Sequence, residues 1–67
     1  MAGIPPGTSE AVLTILRVGP VPMRRRKILA ALEANGHRIS LAGLNRILEH
    51  LARTQRTAEG PDGVRLR

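Results

Sequence analysis

Apolar residues recur at helical spacing in three stretches of this chain and alternate with basic ones in a fourth. The clearest stretch is residues 40–53. Steps of about 100° per residue put Leu41, Leu44, Ile47, Leu48 and Leu51 on one side of a helix there. Ala42, Asn45, Arg46, Glu49, His50 and Arg53 fall on the other side. Ser40 stands just before the apolar run, where its hydroxyl can accept from an orphan first-turn amide, so the helix is expected to begin there. The outward side starts small, at Ala42 and Gly43, and then carries an amide, two guanidiniums and an imidazole.

The rest of the chain punctuates itself. Residues 1–7 hold two prolines and two glycines, cannot propagate a helix, and read as a flexible arm or linker before a domain over residues 8–67. Thr8 or Ser9 is the expected cap of a first helix, with Glu10 near its positive end and Ala11, Val12, Ile15, Leu16 and Val18 turned inward. Gly19-Pro20 ends it, and Pro20-Val21-Pro22 is expected to be extended because proline disfavours helix in the residue before it. A second helix is expected over residues 23–34, burying Ile28, Leu29 and Leu32 and stopping at Asn35-Gly36, where glycine can take the left-handed conformation. His37, read as a turn residue and not a ligand, leads through Arg38 to Ile39, a hydrophobic staple for the third helix.

After Arg53 the helical stripe stops. Residues 54–58 are strand-compatible, Glu59-Gly60-Pro61-Asp62-Gly63 is a turn signal, and residues 64–67 alternate apolar and basic. The prediction is a hairpin with Val64 and Leu66 on the core, lying against the third helix because an isolated hairpin is marginal in water.

Composition narrows the functional classes. Sixty-seven residues allow one small, marginal domain, and the absence of aromatic residues leaves an aliphatic core. No cysteine means no disulfide or thiolate metal site, and two histidines with scattered acids suggest neither metal nor cofactor. No apolar run approaches a membrane span or a signal-peptide core, so a cytoplasmic protein without membrane contact is expected. There is no P-loop, no carboxylate pair and no nucleophile–base candidate, so neither catalysis nor a small-molecule substrate is expected.

The formal charge is +6, from eleven basic and five acidic residues, a field that attracts polyanions. All the bases but Lys27 are arginine. That preference carries little weight, because Ala, Gly, Pro and Arg all have GC-rich codons and the chain is rich in each. Four of the cations, Arg24, Arg25, Arg26 and Lys27, are adjacent at the start of the second helix. There they oppose the macrodipole by roughly 0.3–1 kcal/mol each. A solvated charge run is the plain alternative, and a nuclear-localisation run is disfavoured because the residues belong to a folded element. Against a phosphate backbone, however, arginines beside helix N-terminal amides form an anion site.

The order helix, short extended piece, helix, turn, helix, hairpin, carried by RRRKILAALEANGHRISLAGLNRILEHLARTQRTAEGPDGVRLR, resembles a winged helix-turn-helix domain over nearly the whole chain. The likeness is to small bacterial, phage or plasmid modules, including those appended to DNA translocases and MarR-like transcription regulators. The turn between the second and third helices is longer here than in compact helix-turn-helix proteins. The resemblance implies a mainly α fold with a small β-hairpin as its wing, and a recognition helix at residues 40–53 entering the major groove. Asn45 and Arg46 are then the base readers, with Ala42, Gly43 and His50 in the groove. Arg24, Arg25, Arg26 and Lys27 hold the backbone, and Arg56, Arg65 and Arg67 bring the wing to phosphate or the minor groove. Arg38, Ser40 and Arg53 complete the expected DNA-binding surface, and Glu49 is read as solvated in preference to a cytosine reader. The implied partner is double-stranded DNA, with either a second copy of the chain or a larger protein attached. The rival, a winged helix that grips protein, would expect an exposed apolar patch on the third helix or wing. RNA binding is weaker still without aromatics for stacking.

Overall fold

Three helices and a C-terminal antiparallel hairpin make up the computed structural model, which describes residues 7–67. They are α1 (Thr8–Val18), α2 (Arg25–Ala34), α3 (Leu41–Arg53), β1 (Thr57–Gly60) and β2 (Gly63–Leu66). The mainly helical fold with a small hairpin is the one the pattern predicts, and its arrangement is consistent with a winged helix. The arm expected over residues 1–7 lies, apart from Gly7, outside the described residues.

The helix ends show where local signals decide. Ser40 caps α3 as expected: its Oγ accepts from the Gly43 amide at 3.1 Å. α1 departs from expectation, because its cap is Gly7 in a left-handed conformation and Thr8 is its first helical residue. The Thr8 side chain is buried instead, and its Oγ1 lies 3.1 Å from His37 Nδ1, tying the start of α1 to the α2–α3 turn. α2 begins at Arg25, two residues later than expected, since Met23 is held in an isolated antiparallel bridge with Val64. Both α2 and α3 close by one hydrogen-bond pattern. His37 N–H donates to Leu32 C=O and Gly36 N–H to Glu33 C=O; Arg56 N–H donates to Leu51 C=O and Gln55 N–H to Ala52 C=O. Glycine takes the left-handed position in the first case (Gly36, φ 85°), and Gln55 takes it in the second (φ 61°).

Twelve apolar side chains form the core: four each from α1 and α3, Ile28 and Leu32 from α2, Met23 and Val64. Leu29, Ile39 and Leu66 pack against it from partly exposed positions. Two assignments on α1 are corrected. Leu13 is buried and Val18 is 79% exposed; Leu13 lies about 60° from Leu16 around the helix, whereas Val18 lies about 200° away. Leu41 also departs, staying 37% exposed. As the first residue of α3, its side chain leans back over the helix end toward solvent.

The strands are shifted toward the turn, and the turn is tighter than expected. Thr57 pairs with Leu66, Ala58 with Arg65, Glu59 with Val64 and Gly60 with Gly63, leaving only Pro61-Asp62 as the loop. Residues 54–56 lie outside the strand. The bridge of Met23 to Val64, two backbone hydrogen bonds of 2.8 Å, adds one strand residue from the loop before α2. It is the short extended piece, displaced from Pro20–Pro22 to Met23. The hairpin backbone thereby rests on the entry to α2, and a Cβ on Gly63 would meet the Met23 carbonyl carbon at 2.6 Å and its oxygen at 2.7 Å.

Candidate nucleic-acid interface

The bridge at Met23 explains the placement of the cationic run. Held extended at Met23, the chain turns into α2 at Arg24, whose φ and ψ of −71° and 152° mark it as the cap. Arg24 makes no side-chain capping bond, and the first turn holds no acid. The leading amides of α2 therefore have no internal anion. The three arginines line an open depression of about 300 Å³ with Glu59, Gly60, Pro61 and Gly63 of the hairpin.

Arg25 ties three elements together. Its Nε donates to Glu59 Oε2 at 2.9 Å and its Nη2 to Glu59 Oε1, a two-pronged pair to β1. Its Nη1 donates to Asn45 Oδ1 on α3 at 2.5 Å. The hydrogen bonds from Arg25 hold the Glu59 carboxyl below its ordinary range, and those to Glu59 raise the Arg25 guanidinium. Both side chains are 38% exposed. The pair is thus a partly screened latch between the hairpin and two helices.

On α3, the outward arc is as read from its period. Ala42, Arg46, His50 and Arg53 are exposed, and Gly43 and Asn45 are half-buried at its flanks. Glu49 Oε1 accepts from Arg53 Nη2 at 3.2 Å, one helical turn along. Ser40 already has its Oγ engaged as cap.

The remaining cations divide. Arg65 shares the outer face of the hairpin with its cross-strand partner Ala58, and Arg67 follows two residues on at the hairpin base. The Pro61-Asp62 tip carries no cation. Arg56 turns to α1, its Nη1 3.7 Å from Glu10 Oε1. Lys27 stands apart from the arginines at the α2 start: it lines a different, largely apolar groove with Pro20, Pro22, Met23, Ala30 and Ala31. Arg38 is exposed in the α2–α3 turn. Arg24, Arg26, Lys27, Arg38, Arg46, Arg65 and Arg67 make no ion pair with any described residue.

Sequence reasoning missed Glu59, which it placed in the turn. With β1 extended to Gly60, Glu59 shares the inward parity of Thr57 and of its partner Val64, and so reaches α2. It also treated Arg25 and Asn45 as separate contacts. Among the described residues there is no group of three or more His, Cys, Asp or Glu able to hold a metal ion, and no helix long and apolar enough to cross a membrane. No protein-family model matches the chain, and no curated protein or solved structure matches it.

Proposed function

We propose that this chain binds double-stranded DNA, laying α3 in the major groove with the α2 N-terminus and the hairpin on the flanking backbone. The domain works in the cytoplasm as a binding module, not an enzyme, either as a small regulator or as the DNA-recognition part of a larger protein. The observation that carries the reading is the meeting of three features at one place. An uncapped helix N-terminus with Arg24 and Arg26 lies beside the exposed arc of α3, and Arg25 joins that arc to the hairpin. The unpaired cations suit phosphate, the small Ala42 and Gly43 permit close approach, and Arg46 projects from the middle of the arc.

Roles separate by variant. Arg46→Ala should lose about 1–3 kcal/mol of discrimination for a selected site while keeping most non-specific binding. Arg24→Ala with Arg26→Ala should weaken every duplex and make the salt slope shallower by about 2, with preference kept. Arg25 stays in place in this variant, because its loss would also open the latch. Site selection followed by fluorescence-anisotropy titration reads both effects, after circular dichroism confirms folding. Equal weakening of all sequences by Arg46→Ala would make Arg46 a phosphate contact; no effect from either variant would refute the surface.

One observation favours a second reading, protein binding. Val18 and Val21 are exposed, and the apolar groove beside Lys27 lies about 200° around α2 from Arg25. A partner protein held there would leave α3 uncovered.

A further inference from the structure

The side of α2 that lies about 200° around from Arg25 carries a groove with no part in DNA binding. It encloses about 430 Å³, and its walls are Pro20, Pro22, Met23, Ala30 and Ala31, with Lys27 the only polar residue among them. The shape is preformed. Proline rings fix φ at Pro20 and Pro22. Gly19 seats this segment directly on Met23, since a Cβ at Gly19 would meet Met23 Cε at 2.7 Å. Met23 is pinned in turn by its bridge to Val64. On α2, Lys27, Ala30 and Ala31 are neighbours at helical spacing, and the short alanines leave the space open. Two of the three large apolar side chains that stay exposed among the described residues, Val18 at 79% and Val21 at 49%, lie within two residues of Pro20. Exposed apolar side chains gathered beside a groove with a charged rim mark a site of association.

The charges decide what kind of partner fits. Lys27 is exposed and makes no ion pair with any described residue, and neither do Arg26 beside it nor Arg17 at the end of α1. The one acid of α2, Glu33, lies about 120° around the helix from Lys27. A second copy is the wrong occupant, because two-fold pairing of this face would set Lys27 against Lys27 between two chains of charge +6. The apolar walls offer nothing to a phosphate backbone. We propose that the groove binds an acidic peptide segment of a partner protein, seating one apolar side chain against Pro20, Pro22 and Ala30 and a neighbouring carboxylate on Lys27 Nζ. The proposal rests on the protein-binding reading and gives that partner its chemistry. It leaves α3 open, so duplex and peptide fit at once.

The test is selection from a displayed random-peptide library on the full chain, with counter-selection on Ala30→Gln, checked for folding by circular dichroism. That variant keeps the net charge, places a good helix former at an exposed position and lays a polar side chain over the groove. Counter-selection thus removes peptides that the arginines hold by charge alone. The peptides that remain should pair an apolar residue with Asp or Glu close beside it. A synthetic copy should shift the amide resonances of Met23, Lys27, Ala30 and Ala31, and alanine in place of its apolar residue should weaken binding at least about 10-fold. Lys27→Gln should weaken the acidic peptide by about 1.5- to 5-fold and leave its copy with amides for carboxylates unchanged. Remaining peptides that are basic or uncharged, or equal losses for the acidic peptide and its amide copy, would overturn the acidic class and leave protein binding at this face. Shifts confined to Arg24, Arg25, Arg26 and Gly63 would overturn the groove as the seat. Concentration-dependent shifts at Lys27, Ala30 and Ala31 without peptide would make the occupant a second copy and overturn the proposal. No peptide remaining would overturn the protein-binding reading, and this proposal with it. Duplex binding stands apart from each of these results.

Discussion

Replacing Gly63 by alanine should cost this protein most of its stability, and the structure gives the reason in parts. Gly63 has φ 136°, a region in which side chains are strained. Holding alanine there costs about 1–3 kcal/mol. The new Cβ would also stand 2.6 Å from the Met23 carbonyl carbon and 2.9 Å from the Arg24 nitrogen, both backbone atoms that no rotamer change can move. Relief requires the hairpin to lift from Met23, which breaks the two 2.8 Å bridge hydrogen bonds. Their loss costs about 1–3 kcal/mol more, at about 0.5–1.5 each. The total of about 2–6 kcal/mol compares with about 3–10 kcal/mol for a whole domain of this size, at about 0.05–0.15 per residue. Gly60, the strand partner of Gly63 across the two-residue loop, is the control: a Cβ there meets nothing within 4 Å. Gly60→Ala should change stability by less than about 0.5 kcal/mol. Urea unfolding followed by far-UV circular dichroism measures both, and amide hydrogen exchange at Met23 and Val64 reports the bridge directly. Equal, small effects at the two glycines, with Met23 and Val64 amides still protected, would refute the docking of the hairpin on the α2 entry.

Two further outcomes follow from the same geometry, one at a helix end and one at the latch. Gln55→Gly should stabilise by up to about 1 kcal/mol, because relief of roughly 1–2 kcal/mol of left-handed strain outweighs the extra chain entropy of glycine, about 0.5–1; a lower urea midpoint would contradict the strained helix end. Glu59→Gln should lower stability at pH 7 by about 0.2–1 kcal/mol, the range for a solvent-screened pair. Since Arg25 depresses the folded-state carboxyl, that difference is fully present above the unfolded-state value of about 4.3 and is lost as pH falls from there through the lower folded-state value. A difference unchanged from pH 7 to pH 3 would mean that the latch does not form.

What could be read from the chain was what local chemistry decides. Ser40 and the stripe from Leu44 to Leu51 specify α3 because cap and period agree over more than three turns. Gly36 marks the end of α2, whereas the equivalent end of α3 falls on Gln55, a residue with no conformational signal of its own. Met23 reads as a helix former, and only its pairing with Val64, forty-one residues on, makes it extended. The turn signal over residues 59–63 was real but broad: Gly60 and Gly63 are the last strand pair, and their inclusion in the loop hid the parity of Glu59. The Arg25–Glu59–Asn45 contact depends on that register and on the crossing of α2 with α3, so no spacing in the sequence announces it. The cations were each visible. Their division into an α2–α3–hairpin group and the separate Lys27 and Arg56 required the fold.

The central claim, that the exposed arc of α3 and its flanking arginines bind duplex DNA, meets its most direct test in a salt titration. Affinity for a mixed-sequence duplex, measured by fluorescence anisotropy across a range of salt concentrations, gives the number of phosphates neutralised. Four to six contacts, drawn from Arg24, Arg26, Arg38, Arg65 and Arg67 with the α2 amides, predict a log–log slope of about −4 to −5. A slope near zero, or no binding at low salt alongside tight association with a protein, would contradict the account.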